Sequence, residues 1–193
     1  MSLIMTFSIA AFISRNHEPQ QSMNEAQRYA LQQQQKIFII WYTDYQKDID
    51  NLDRNWQLYH NIVESFINNN IDIETAYERL SDLESEARIE QLHIYTLKVP
   101  PGLGEECNNA LEEIIRKTQK YADEQTQTIS LTKNAINPEQ SLNDNHNEQV
   151  KILQNIMIRE SPTGLFTANE LSAILNYFTL PEDFQNKEIE AKP

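Results

Sequence analysis

Residues 41–66, WYTDYQKDIDNLDRNWQLYHNIVESF, decide the fold. Within them Trp41, Tyr45, Ile49, Leu52, Trp56, Tyr59, Val63 and Phe66 follow at intervals of 4, 4, 3, 4, 3, 4 and 3 residues. An α-helix returns to the same side every 3.6 residues, so these eight side chains form one apolar stripe. The alternation of threes and fours is that of a coiled-coil-like helix packed lengthwise on other helices.

The same helix extends outward on both sides, since neither Pro nor Gly occurs between Ser22 and Asn68. Ser22-Met23-Asn24-Glu25 reads as a capping box at its start, and Asn68-Asn69-Asn70 ends it, because asparagine tolerates the left-handed backbone that closes helices. Asp72 caps a second helix with Ile73, Ala76, Leu80, Leu83, Ala87 and Ile94 on its seam, stopped by Pro100-Pro101-Gly102. A third begins near Glu105 and carries Cys107, Leu111, Ile114, Thr118, Gln125, Ile129 and Thr132 on one face. Asn137-Pro138-Glu139-Gln140 has the chemistry of a helix start, with asparagine as cap and proline at the first helical position. The fourth helix then runs to Ser161-Pro162-Thr163-Gly164, and Thr167-Ala168-Asn169-Glu170 reads as a capping box for a short fifth helix ending at Phe178.

The expected fold is therefore all-α, an antiparallel four-helix bundle with an overlong first helix and a short fifth C-terminal helix. At 1.5 Å per residue the second, third and fourth helices span about 40, 48 and 34 Å and the first close to 70 Å. The first either kinks near Gln32–Gln35 or projects, packing on the fourth helix, the fifth or a second subunit. An apolar segment (1–20), a bundle domain (21–180) and a mobile polar tail (181–193) make up the chain.

Composition excludes much else. The chain has three glycines, Gly102, Gly104 and Gly164, where average usage of about 7% would give about 14. That disfavours turn-rich sheet folds, and neither common glycine-rich phosphate loop can be written from those positions. Sixteen basic against 29 acidic residues give a net charge of −13, with the basic residues scattered, so nucleic acid is not a partner on this reading. The single cysteine, Cys107, excludes an intramolecular disulfide.

Leu3–Ile13, LIMTFSIAAFI, is an 11-residue apolar run, shorter than the roughly 20 residues that cross a bilayer. Its length suits the hydrophobic region of a signal peptide, although no Lys or Arg precedes it. We read it as an export or membrane-proximal segment in preference to a cytosolic packing segment, which places the protein outside the cytoplasm or at the membrane.

Candidate chemistry is sparse. Glu90-x-x-His93 has the spacing that di-iron bundles take from each of two helices, but the nearest second pairs, Gln57-x-x-His60 and Asn143-x-x-His146, put amides where charged ligands are needed. Neutral amides cannot balance two iron ions, so no cofactor is assigned, and Glu90 and His93 stay candidate metal ligands only for a degenerate site. Asn143–Glu148 resembles a calcium loop but lacks its first aspartate, its glycine and its final glutamate. Cys107 falls in the first turn of a helix, where the dipole lowers a thiol pKa, and also on the apolar seam; a small buried hydrophobe is the preferred role.

Trp41, Tyr45, Trp56 and Tyr59 can line a ligand pocket or simply pack the core. The stretch Asp72–Glu90 holds seven carboxylates and reads as a solvated face, with a docking surface for a basic partner as the alternative. The function this supports is a non-enzymatic helical bundle acting through a protein partner or self-association, in organisation like many bacterial four-helix bundles. The alternative is a small-molecule or metal-binding sensor-type module using the helix-one aromatics with Glu90 and His93.

Overall fold

The structure is a computed structural model that describes residues 24–140 and 145–179. The apolar run 3–13, the segment 1–20, Asn143 and Asp144, and the tail 181–193 lie outside the described residues. Among the described residues the chain is all-helical, with five helices and no strand: α1 Glu25–Ile67, α2 Ile73–Tyr95, α3 Glu105–Ala135, α4 His146–Arg159 and α5 Ala168–Phe178.

Local chemistry explains most boundaries, corrects the starts of α1 and α4, and leaves α5 without the expected side-chain cap. α1 is capped by Asn24, whose side chain accepts from the Gln27 amide while the Gln27 side chain accepts from the Asn24 amide. This is a capping box two residues later than the one expected at Ser22. At the other end Asn69 takes φ 57°, the left-handed closure expected of the asparagine run. Asp72 caps α2 by accepting from the Thr75 amide.

α4 begins at His146 under an Asn145 cap, not at Pro138. Asn137 instead accepts from the Glu139 amide in a local turn, so α4 has 14 residues and spans about 21 Å. Thr167 makes no side-chain cap on α5: its backbone, at φ −112° and ψ 8°, is not in the extended conformation of a side-chain cap, and the Glu170 carboxylate turns instead to Lys117 at 2.8 Å.

α1 is one unbroken helix of 43 residues, about 65 Å long, helical without interruption through Gln32–Gln35. Its projecting half packs on α5 and on the connection between α2 and α3. Gln34 Oε1 accepts from the Gly104 amide at 2.9 Å and from the Tyr177 hydroxyl at 2.7 Å. A Cβ at Gly104 would come within 2.1 Å of that hydroxyl, so any other residue there would have to displace the Tyr177 ring.

Polar pairs set the directions of the helices. Tyr45 meets Thr118, the Leu52 carbonyl meets Gln125, and Tyr59 meets Thr132, each pair 73 residues apart. A constant offset means that α1 and α3 run the same way in fixed register. Along α1 and α2 the pairs Asp48–His93, Asn51–Glu90 and Arg54–Glu86 run oppositely. Along α3, Thr128 meets Glu160, Glu124 meets Thr163 and Lys117 meets Glu170, again oppositely. α4 and α5 thus lie in succession beside α3, separated by the non-helical residues 160–167.

The interior has two main clusters. Tyr59, Val63, Phe66, Leu80, Leu83, Ile129 and Leu153 fill one, and Phe38, Tyr45, Cys107, Leu111, Ile114, Ile174 and Phe178 the other. Leu52, Ile94 and Ala122 bridge the interval between them.

Candidate functional site

The four candidate aromatics separate into two pairs. Trp41 stacks on Tyr45 with ring centroids 5.0 Å apart, and Trp56 stacks on Tyr59 at 4.8 Å. Fifteen residues divide Trp41 from Trp56, about 22 Å along the helix, so no common pocket includes both. Three of their four polar atoms are already engaged. Trp41 Nε1 donates to the Lys98 carbonyl at 3.0 Å, and the two buried phenols meet Thr118 and Thr132 at 2.9 and 2.8 Å. Each threonine hydroxyl donates backward to its own helix, Thr118 to Ile114 and Thr132 to Thr128, so each tyrosine must be the donor in its pair. Burial pushes both tyrosines above their ordinary pKa.

Glu90 and His93 both face α1, where they meet Asp48 and Asn51. His93 Nε2 lies 3.1 Å from Asp48 Oδ1, and Asn51 Nδ2 donates to Glu90 Oε2 at 3.1 Å. Glu90 Oε1 is buried and has no hydrogen-bond partner among the described residues. Burial raises the Asp48 pKa, with His93 opposing, and burial together with the Asp48 charge raises that of Glu90. The arrangement favours holding a proton at Glu90. Among the described residues no group of three or more His, Cys, Asp or Glu side chains converges to hold a metal ion.

The other histidines lie apart, with His60 edge-on to Trp56 at 4.9 Å and His146 edge-on to Phe66 at 4.9 Å. Cys107 is fully buried and burial pushes its thiol up to about 11, the opposite of a helix-activated nucleophile and consistent with a small buried hydrophobe.

One ionic centre escaped the sequence reading. Glu84, buried on α2, accepts from Arg88 at 2.6 Å and from Lys133 of α3 at 2.5 Å. Burial opposes its charge, but hydrogen bonds from Lys133, Arg88 and Ser130 outweigh burial and hold the carboxyl down at about 2. The i,i+4 spacing of Glu84 and Arg88 was the available signal; Lys133, 49 residues away, had none.

On the surface, a shallow groove between α2 and α3 is lined by Arg88, Gln91, Asp123, Gln127, Ser130 and Leu131. Beside it Ile89 and Leu92 of α2 are 69% and 68% exposed. No described helix is long and apolar enough to cross a membrane. No family model, curated protein or solved structure matches this chain.

Proposed function

We propose that this chain is a non-enzymatic helical bundle that works by binding another protein. The observation that supports this reading is the placement of large apolar side chains: Ile89, Leu92, Ile158 and Phe166 are each more than two-thirds exposed. Single exposed apolar residues are ordinary, but Ile89 and Leu92 stand one turn apart on the same side of α2 and form a pair available for contact. In the architecture we propose, α1, α2 and α3 alternate in direction and α4 with α5 shares the fourth, antiparallel place. Residues 3–13 would hold the bundle near a membrane or direct its export.

Light scattering across a concentration series, with chemical cross-linking in the protein's own cells, tests the reading. Self-association or a discrete protein adduct is the expected result, and a strictly monomeric chain that forms neither would overturn it. A second reading, a module that binds a small molecule or metal ion between its helices, draws on the unpartnered Glu90 Oε1. A thermal shift on adding zinc, iron or calcium, abolished by Glu90→Ala or His93→Ala, would favour that reading instead.

A further inference from the structure

On the side of α2 that faces away from the core, Glu78, Asp82, Ser85, Ile89, Leu92 and Thr96 follow at intervals of 4, 3, 4, 3 and 4, and all six are exposed. The rhythm is that of the buried stripe of α1. Leu80, on the inward seam, is fully buried. Ile89 lies nine residues on, two and a half turns, and so points the opposite way. α2 therefore carries two seams on opposite sides, one filled by the protein's own helices and one open to solvent. The open seam is divided by chemistry, with carboxylates in its amino-terminal half and Ile89 and Leu92 in its carboxy-terminal half. Among the described residues Glu78 and Asp82 make no ion pair, and neighbouring Glu86 reaches Arg54 only at 3.8 Å with both side chains more than half exposed. The α2–α3 groove, with Leu131 at its edge, runs alongside.

We propose that this outward seam of α2 docks a single amphipathic helix of a partner protein, with leucine- or isoleucine-type side chains against Ile89 and Leu92 and lysines or arginines against Glu78 and Asp82. The proposal rests on the protein-binding reading above and names the partner's chemistry. Charge selects this occupant. A second copy packed in parallel would set Glu78 and Asp82 against themselves, and each copy carries a net charge of −13. Packed antiparallel about Ile89 and Leu92, it would leave both carboxylates opposite residues beyond Tyr95, where α2 has ended. Residues 3–13 of this chain contain no Lys or Arg to meet the carboxylates. Nucleic acid and anionic membranes are repelled by the same groups.

The test is titration of the full chain with a labelled synthetic helix of about 18 residues, about five turns, with leucines at one end of its stripe and lysines at the other. A counterpart with glutamate for every lysine is the charge control. Both Ile89→Ser/Leu92→Ser and Glu78→Lys/Asp82→Lys should weaken binding about tenfold or more, as loss of a central anchor does. Ile158→Ser/Phe166→Ser, equally exposed but elsewhere, should leave it unchanged, and the glutamate peptide should not bind. Absence of binding, or equal weakening by the Ile158/Phe166 variant, would overturn the proposal. A photo-cross-linking residue placed at 92 or at 158 in the protein's own cells separates the two levels. Protein adducts at 92 that disappear with Glu78→Lys/Asp82→Lys support the seam, and adducts at 92 that persist with that variant overturn it. Adducts at 158 alone overturn the seam and leave the protein-binding reading standing, and adducts at neither position overturn both.

Discussion

Glu84 and Glu90 stand six residues apart on α2 and face opposite flanks, Glu84 toward α3 and Glu90 toward α1. Burial opposes ionisation of both, yet the Glu84 carboxyl is held down at about 2 and the Glu90 carboxyl is raised. The difference lies in what each neighbouring helix supplies. α3 brings the Lys133 ammonium into hydrogen-bond contact with Glu84, whereas α1 brings to Glu90 the Asn51 amide and the negative charge of Asp48, with the Arg54 cation only a lesser opposing influence. A buried carboxylate is thus a fastening on one flank and a point of tension on the other, and the partner decides which.

The strongest way to break this contrast is Glu84→Gln, which strips the anion from between Arg88 and Lys133. We expect a loss of about 2–3 kcal/mol in urea denaturation, the range for removing one member of a largely buried charged pair. A loss indistinguishable from zero would mean that the pair is only a surface contact. The same flank governs acid stability. Because the folded-state value is depressed, the Glu84 contribution is complete above the ordinary value of 4.5 and disappears as the pH falls toward about 2. Wild-type chain and Glu84→Gln should therefore converge in stability across that window.

The neutral α1–α3 seam tests the same rule without charge. Thr132→Val leaves the buried Tyr59 donor without an acceptor and should cost about 1–3 kcal/mol, whereas Tyr59→Phe leaves no donor stranded and should cost about 1 kcal/mol. Adding Tyr59→Phe to Thr132→Val should recover part of the loss; equal single-mutant costs with no recovery would show that the phenol is not the donor.

A smaller effect is expected at Glu90. Its folded-state value is raised, so its proton-bound form is the favoured one and stability falls as the pH rises from 4.5 through the raised value. Glu90→Gln should raise the melting temperature at pH 7 and leave it unchanged at pH 4, the neighbouring titratable groups Asp48, His93, Asp44, Lys47 and Arg54 being the same in both chains. A variant destabilised at both pH values would mean that the carboxylate is satisfied after all. The least change belongs to the outward face of α2: Leu92→Ser should alter stability by no more than about 0.5 kcal/mol. A larger loss would place Leu92 in the fold and not on a contact surface.

Much of this was legible along the chain. Of the eight stripe residues of α1, Tyr45, Leu52, Tyr59, Val63 and Phe66 are buried and Trp41, Ile49 and Trp56 half-buried. Asn137-Pro138-Glu139-Gln140 has every local feature of a helix start, but the Asn137 side chain closes a local turn and α4 begins only at His146. At α5 the Thr167 backbone is not extended, so its side chain makes no cap, and the Glu170 carboxylate reaches Lys117, 53 residues away. At the candidate site, periodicity placed Trp41, Tyr45, Trp56 and Tyr59 on one face. It is silent about depth along the axis, and about which neighbour each ring would find. Asp48 and Asn51, the companions of Glu90 and His93, sit on the flank of the stripe and carried no motif.

The sequence alone determined that this protein is helical, where most helices begin and end, and which side of each turns inward. Those properties depend on backbone bonds four residues apart and on side chains one turn apart, and such short-range chemistry is written contiguously. Tertiary structure alone decided the offset of 73 residues between α1 and α3, the succession of α4 and α5 beside one helix, and the opposite electrostatic fates of Glu84 and Glu90. Each is set by groups tens of residues apart that meet only when helices pack, where a one-turn slip would exchange every partner.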